Sequence, residues 1–205
     1  METLLLARHG LAGSNRADVA SCAIPGEGLT PDGVQQARAL GALLAGTEIA
    51  LGATTELART QETLRLALDG VDAPTILVPE LNEIQFGSFD GGPLETYRGW
   101  AAVHSPSVRA PGGGESRADA AARFARGLRV LTERDEPTVL LVGHALALRY
   151  VIDAADGLVP AARMSPVPHA QPFELARDDA LRAADLLESW SASPRFREPP
   201  GRMGA

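Results

Sequence analysis

The chain has 205 residues with a net charge of −7, and its 45% hydrophobic and 22% charged residues fit one globular domain with a sizeable core. The acidic balance argues against general affinity for nucleic acid or an anionic membrane, so an anionic partner needs a local cluster of cations working against the overall field. All nineteen basic residues are arginine, which removes a P-loop lysine, a Schiff-base lysine and a lysine nucleophile together; Cys22 alone builds neither an intramolecular disulfide nor a cysteine zinc cluster.

The N-terminus shows no basic segment leading into a long apolar one, and no apolar run reaches the roughly eighteen residues of a membrane span, so the cytoplasm is the expected location. Residues 3–8 read as a first strand, Leu4, Leu5, Leu6 and Ala7 being apolar on both faces. It ends in Arg8-His9-Gly10, and residues just past the carboxyl end of a parallel strand line a ligand crevice. Residues 9–29 read as an irregular polar loop. Thr30-Pro31-Asp32 supplies an N-cap, a first-turn proline and an acid for a helix with Val34, Ala37, Leu40 and Leu44 on one face and Gly46 as its stop.

A second strand is expected over 49–53, a helix from about Glu56 to Leu68 carrying Arg59, and a third strand over 75–78. A loop with Glu83 follows, then a short helix from Leu94 to Val103 that carries Tyr97 and Trp100, and a Pro/Gly-rich loop ending at Gly114. Ser116 caps a helix over 117–134, with Ala120, Phe124, Leu128 and Leu131 as its apolar face. Thr138–Val142 has the unbroken apolar profile of a central parallel strand, with Gly143-His144 at its end and a helix running to Ala155. Phe173–Leu175 is a last strand, Leu181–Trp190 a last helix, and residues 193–205 a flexible tail after a domain of residues 1–192. Alternating strands and helices make this an α/β protein, a single three-layer α/β/α domain around a mostly parallel sheet. His9, Thr55 with Arg59, Glu83 and His144 all follow strand ends, and parallel neighbours bring such groups to one edge.

Arg8-His9-Gly10 after an N-terminal strand, Asn15, Thr55–Thr63, Leu81–Gly87, Gly113-Gly114-Glu115-Ser116 and Val142–Ala145 occur in the order in which the histidine phosphatase superfamily, the phosphoglycerate-mutase-like fold, carries them. The chain resembles its phosphatase branch. The resemblance implies a metal-independent phosphomonoesterase in which His9 attacks phosphorus and becomes a phosphohistidine. It also implies Arg8 and Arg59 as bidentate forks on the phosphoryl oxygens, His144 as a further donor to them, and Glu83 as general acid and base. Asn15 and Thr55 are candidate neutral donors to the phosphate, and Gly10 a point of close backbone approach. No metal or cofactor is expected, and the implied partner is a small-molecule phosphate ester; oligomeric state does not follow from the residues.

The family's mutases carry Arg-His-Tyr after the catalytic glutamate and an arginine pair further on, where this chain has Ile84-Gln85-Phe86 and no such pair. A phosphoglycerate-type mutase, and a non-catalytic binder of phospho-ligands, stand as the alternatives. His104 and His169 match none of these motifs, although Pro168-His169-Ala170 lies close enough to the last strand to reach the crevice. The walls of the crevice are expected from residues 11–29, 84–114 and 165–171, with Leu11, Phe86 and Trp100 nearby.

Overall fold

A computed structural model describes residues 1–198. Its elements are β1 (Thr3–Arg8), α1 (Gly13–Arg16), α2 (Pro31–Leu43), β2 (Leu51–Thr54), α3 (Ala58–Ala67), β3 (Thr75–Leu77), α4 (Leu94–Val103), α5 (Arg117–Thr132), β4 (Thr138–Gly143), α6 (Ala145–Ala155), β5 (Pro172–Ala176) and α7 (Arg177–Ala192), with short 3₁₀ turns at Pro79–Leu81 and Gly87–Phe89. The five strands form one sheet in the order β3-β2-β4-β1-β5, parallel except for the edge strand β5.

Side chains alternate across the sheet and sort the helices into two layers. Leu4 and Leu6 of β1 join Val139 and Leu141 of β4 on the face packed by Phe124, Leu128 and Leu131 of α5, Tyr150 of α6 and Leu187 of α7. Leu5, Ala7, Leu140 and Val142 point the other way, into Leu40 of α2 and Leu64 and Ala67 of α3. Both faces of the central strands are therefore covered, which is why those strands read as unbroken apolar runs rather than as alternating ones. Among the described residues no helix is long and apolar enough to cross a membrane.

Several elements differ from the sequence expectation. The loop over 9–29 contains one helical turn, α1, so it is not wholly irregular. Helix α2 starts as expected, with Thr30 Oγ1 accepting from Gly33 N at 3.1 Å, but ends at Leu43, before Gly46 turns the chain at φ +90°. Helix α7 begins at Arg177 rather than Leu181, because Asp178 and Asp179 occupy its first turn, where carboxylates meet the positive end of the helix dipole. The expected flexible tail needs correction over residues 193–198. Trp190 Nε1 donates to Arg195 O at 2.7 Å, Phe196 packs on the Trp190 ring at 6.0 Å, and Arg197 pairs with Asp153 at 3.2 Å. The rest of that expected tail, 199–205, lies outside the described residues.

For the site, the register matters most. Arg8 of β1 lies opposite Gly143 of β4, and Thr54 of β2 opposite Val142, so three parallel strands stop together. His9, His144 and Thr55 are the residues that follow those stops.

Candidate active site

His9 leaves β1 with its backbone N–H still on Gly143 O at 3.0 Å, and its ring is 2% exposed. Its Nδ1 lies 2.7 Å from Gly10 O, an acceptor only, so Nδ1 carries the proton and Nε2 keeps its lone pair. Arg59, on the first turn of α3 and itself 2% exposed, donates from Nε to that Nε2 at 3.2 Å and from Nη2 to Ser21 O at 3.0 Å. Its Nη1 is buried without a partner. Arg8 donates to Val167 O at 2.8 Å and likewise buries an unpartnered Nε. Burial lowers the Arg8 pKa to about 10, which leaves it charged at neutral pH.

His144 is the N-cap of α6 and is fully buried. A hydroxyl relay fixes its tautomer. Thr60 Oγ1 donates to Leu57 O at 2.8 Å, and Thr55 Oγ1, 2.9 Å away, then donates to Thr60 Oγ1. His144 Nε2, 2.9 Å from Thr55 Oγ1, is left to donate to it, so His144 Nδ1 is bare and accepts from Arg59 Nη2 at 3.3 Å. The two imidazoles stand 5.4 Å apart between ring centroids, each offering a lone pair to the same guanidinium. Burial first, and the charge of Arg59 second, hold both well below the ordinary histidine pKa.

Glu83 comes from the loop after β3, with its side chain 14% exposed and its Oε2 4.0 Å from His144 Nδ1. Its Oε1 accepts from Ile84 N at 3.0 Å. Burial raises its pKa, against the opposing pull of Arg59. The loop is pinned from two sides. Asn82 exchanges hydrogen bonds with Glu56 at the end of β2, at 2.9 and 2.8 Å, and Arg123 Nη1 donates to Glu80 O and Asn82 O at 2.8 and 2.9 Å. Glu115 grips Arg123 bidentately at 2.8 and 2.6 Å and accepts from Gln85 N at 2.9 Å, so the Gly-Gly-Glu-Ser motif acts on the carboxylate loop.

One pocket is lined by Arg8, His9, Asn15, Arg59 and Glu83 together, with His144 directly beneath Arg59. Asn15 spends its Oδ1 on Ala12 N at 3.2 Å, which leaves its amide nitrogen as the group available to a ligand. Two expectations change. Thr55 is fully buried behind His144 and orients that ring, instead of reaching the pocket as a phosphate donor. Gly10 gives its N–H to Thr63 Oγ1 at 3.0 Å, and a Cβ there would stand 2.5 Å from Gly33 O; its smallness serves the crossing of β1's exit over α2, not the approach of a phosphate.

Sequence reasoning missed four contributors: Arg123, Glu115, Arg117 and Arg98. Arg123 lies unremarked within the helix expected over 117–134 and Glu115 appears only within a motif, and no spacing rule connects either to Glu83. Arg117 and Arg98 also line the pocket, with Phe86 and Tyr97 as its apolar wall. His169, flagged only as able to reach the crevice, donates from Nδ1 to His9 O at 2.7 Å, its ring 5.5 Å from that of His9. His104 is exposed and stacks on Trp100.

Chemically, the pocket presents an unprotonated imidazole nitrogen, two buried guanidinium groups that make no ion pair among the described residues, and one carboxyl group kept protonated more readily than usual. Such a set suits an electrophile surrounded by anionic oxygens. Known proteins share this fold and stretches of this sequence. An alpha-ribazole phosphatase from Shigella flexneri superposes with a TM-score of 0.72 at 27% identity, covering 84% of this chain and 89% of that one. A 2,3-bisphosphoglycerate-dependent phosphoglycerate mutase from Brucella ovis is 34% identical over 174 residues, 77% of this chain and 83% of that one. An adenosylcobalamin/alpha-ribazole phosphatase from Salmonella typhimurium is 39% identical over 87 residues, a match that spans only 43% of its length. The sequence profile of the histidine phosphatase superfamily, branch 1, matches residues 4–188, and the chain belongs to that superfamily.

Proposed function

We propose that the protein is a metal-independent phosphomonoesterase that works through a phosphohistidine at His9. The observation that carries this reading is the bare His9 Nε2 held beside Arg59, in a pocket that Arg8 and Glu83 also line. The phosphoryl group displaces the pocket's water, its oxygens take the free donors of Arg8 and Arg59, and Nε2 attacks phosphorus as the ester oxygen leaves. Glu83, whose pKa is raised by burial, gives a proton to that oxygen. Water then attacks the phosphohistidine, Glu83 takes a proton from it, the P–N bond breaks, and inorganic phosphate departs with His9 neutral again.

His144 joins when the anion arrives. Arg59 turns its Nη2 donor toward phosphate, and a proton on His144 Nδ1 becomes affordable once a dianion lies against it.

The test is rapid quench with a radiolabelled ester. A covalent phosphoenzyme that is labile in acid and stable in base, absent in His9→Ala, with turnover that survives EDTA, is the expected result; loss of all turnover in chelator, or undiminished turnover in His9→Ala, overturns it. The similarity to the Brucella ovis mutase supports a second reading, phosphoryl transfer to another hydroxyl, which predicts transfer to an added phosphoglycerate in excess of phosphate release.

A further inference from the structure

Arg117 is a buried cation for which the reaction above has no use. It opens α5, is 7% exposed, and makes no ion pair among the described residues. Its Nε donates to the neutral Tyr150 hydroxyl at 2.7 Å, and its guanidinium lies 5.3 Å from the Tyr150 ring and 5.7 Å from that of Phe196. These aromatic contacts hold its position. They leave its fork under-used, because Nη2 is buried and makes no well-formed hydrogen bond, the Tyr97 hydroxyl beside it being too poorly placed to satisfy it. Burying an unneutralised guanidinium with an idle donor is costly, and a bound anion removes the cost.

The surroundings point the same way. Arg117 stands where the reaction pocket joins a second cavity, and Arg8, Arg98 and Met164 line both. The second cavity adds Arg163 and Glu95, so four guanidinium groups face one carboxylate in a protein whose net charge is −7. Arg98 reaches Asp18 and Glu95 only at 3.9 Å each, with its side chain more than half exposed, and so remains free to turn toward a ligand.

Resting on the phosphatase reading, we propose that the preferred substrates carry a second anionic group, a carboxylate or another phosphate, which docks on Arg117 with Arg98 and Arg163 at the rim. The first anion meets Arg8 and Arg59 at His9, and the second fills the adjoining cavity. Arg117 is then the residue that selects the substrate class.

The experiment measures kcat and KM for 4-carboxyphenyl phosphate and 1,4-phenylene bisphosphate against the neutral isostere 4-carbamoylphenyl phosphate. The wild type is expected to favour at least one doubly anionic ester on the order of 10- to 100-fold in kcat/KM, carried by KM, and Arg117→Gln to bring that ratio close to one. The arm with the larger preference tells carboxylate from phosphate. Should Arg117→Gln fold poorly for want of its Tyr150 contact, the exposed double variant Arg98→Gln/Arg163→Gln is expected to lower the same ratio several-fold. Equal kcat/KM for charged and neutral esters in the wild type, or an equal loss for both in the variants, overturns the proposal and leaves Arg117 a structural clamp. If no ester turns over, the phosphatase reading fails by itself, and calorimetry with 2-phosphoglycolate and ethyl phosphate decides the inference. Tighter binding of phosphoglycolate that Arg117→Gln abolishes supports it; equal affinity overturns it.

Discussion

In the proposed cycle Glu83 is an acid in one half and a base in the other, and its surroundings push it toward the first role. Burial raises its pKa while Arg59 and Arg8 pull it down, so a phosphate dianion that neutralises those arginines leaves burial the stronger influence. Glu83→Gln is therefore expected to lower kcat by about 10²- to 10⁴-fold with alkyl phosphates, whose leaving groups need a proton, and far less with p-nitrophenyl phosphate. Steady-state kinetics on the two esters checks it; an equal loss on both removes Glu83 from the acid role. In kcat/KM against pH, the acid limb reports His9 and falls below the ordinary histidine range, and the alkaline limb reports loss of the Glu83 proton and flattens in Glu83→Gln. At this scale the sequence was most readable where a residue's task follows from its place at a strand end. His9, Arg59 and His144 converge as expected, whereas Thr55 and Gly10 have their partners in α3 and α2, and nothing in their neighbours along the chain announces Thr60 or Gly33.

Among the elements, the loop that carries Glu83 has no regular structure of its own and borrows its shape from α5. Arg123 collects two of its carbonyls and is in turn held by Glu115, in a pair whose side chains are 17% and 14% exposed. Arg123→Met should thus act through Glu83. We expect a kcat loss of about tenfold or more on alkyl esters, smaller than that of Glu83→Gln, with p-nitrophenyl phosphate again spared. A loss that is the same for both esters would show the arginine to be only a stabiliser of the loop. Legibility at this scale followed periodicity. The central strands and α5 stood out because burial on both faces, or a capping box such as Ser116 with Asp119, leaves a local pattern. Helix α1 and the true start of α7 did not: a four-residue turn has no period to detect, and the polar first turn of α7 hides its helical character until Asp178 and Asp179 are seen as dipole partners.

Across the whole molecule, the same burial that prepares the site makes the fold sensitive to acid. The folded-state pKa values of His9 and His144 lie well below 6.5, so as pH falls below 6.5 the unfolded chain takes up protons first and stability drops. Glu83 has the opposite sign, its stabilising share being full below its unfolded value of 4.5 and lost as pH rises through its raised folded value. These two imidazoles, with His169 lowered in the same direction, outnumber the one carboxyl and give a net loss on acidification, at most about 1.4 kcal/mol per pH unit for each extra proton the unfolded chain binds. Thermal melts from pH 7.5 to 5.5 should show it, less steeply in His144→Gln, and saturating orthophosphate should raise the melting temperature by neutralising Arg8 and Arg59. A melting temperature flat across that range would mean that the imidazoles are not buried as described.

The row of hydroxyls behind His144 carries a last implication. It terminates on the main-chain oxygen of Leu57, a group that takes up no proton at ordinary pH, so the row is a blind alley for charge. It can aim the ring but cannot drain it. In the proposed reaction, any proton that His144 gains while an ester is bound therefore leaves on its pocket side, by the ligand, by solvent or by Glu83, whose Oε2 lies 4.0 Å from its Nδ1.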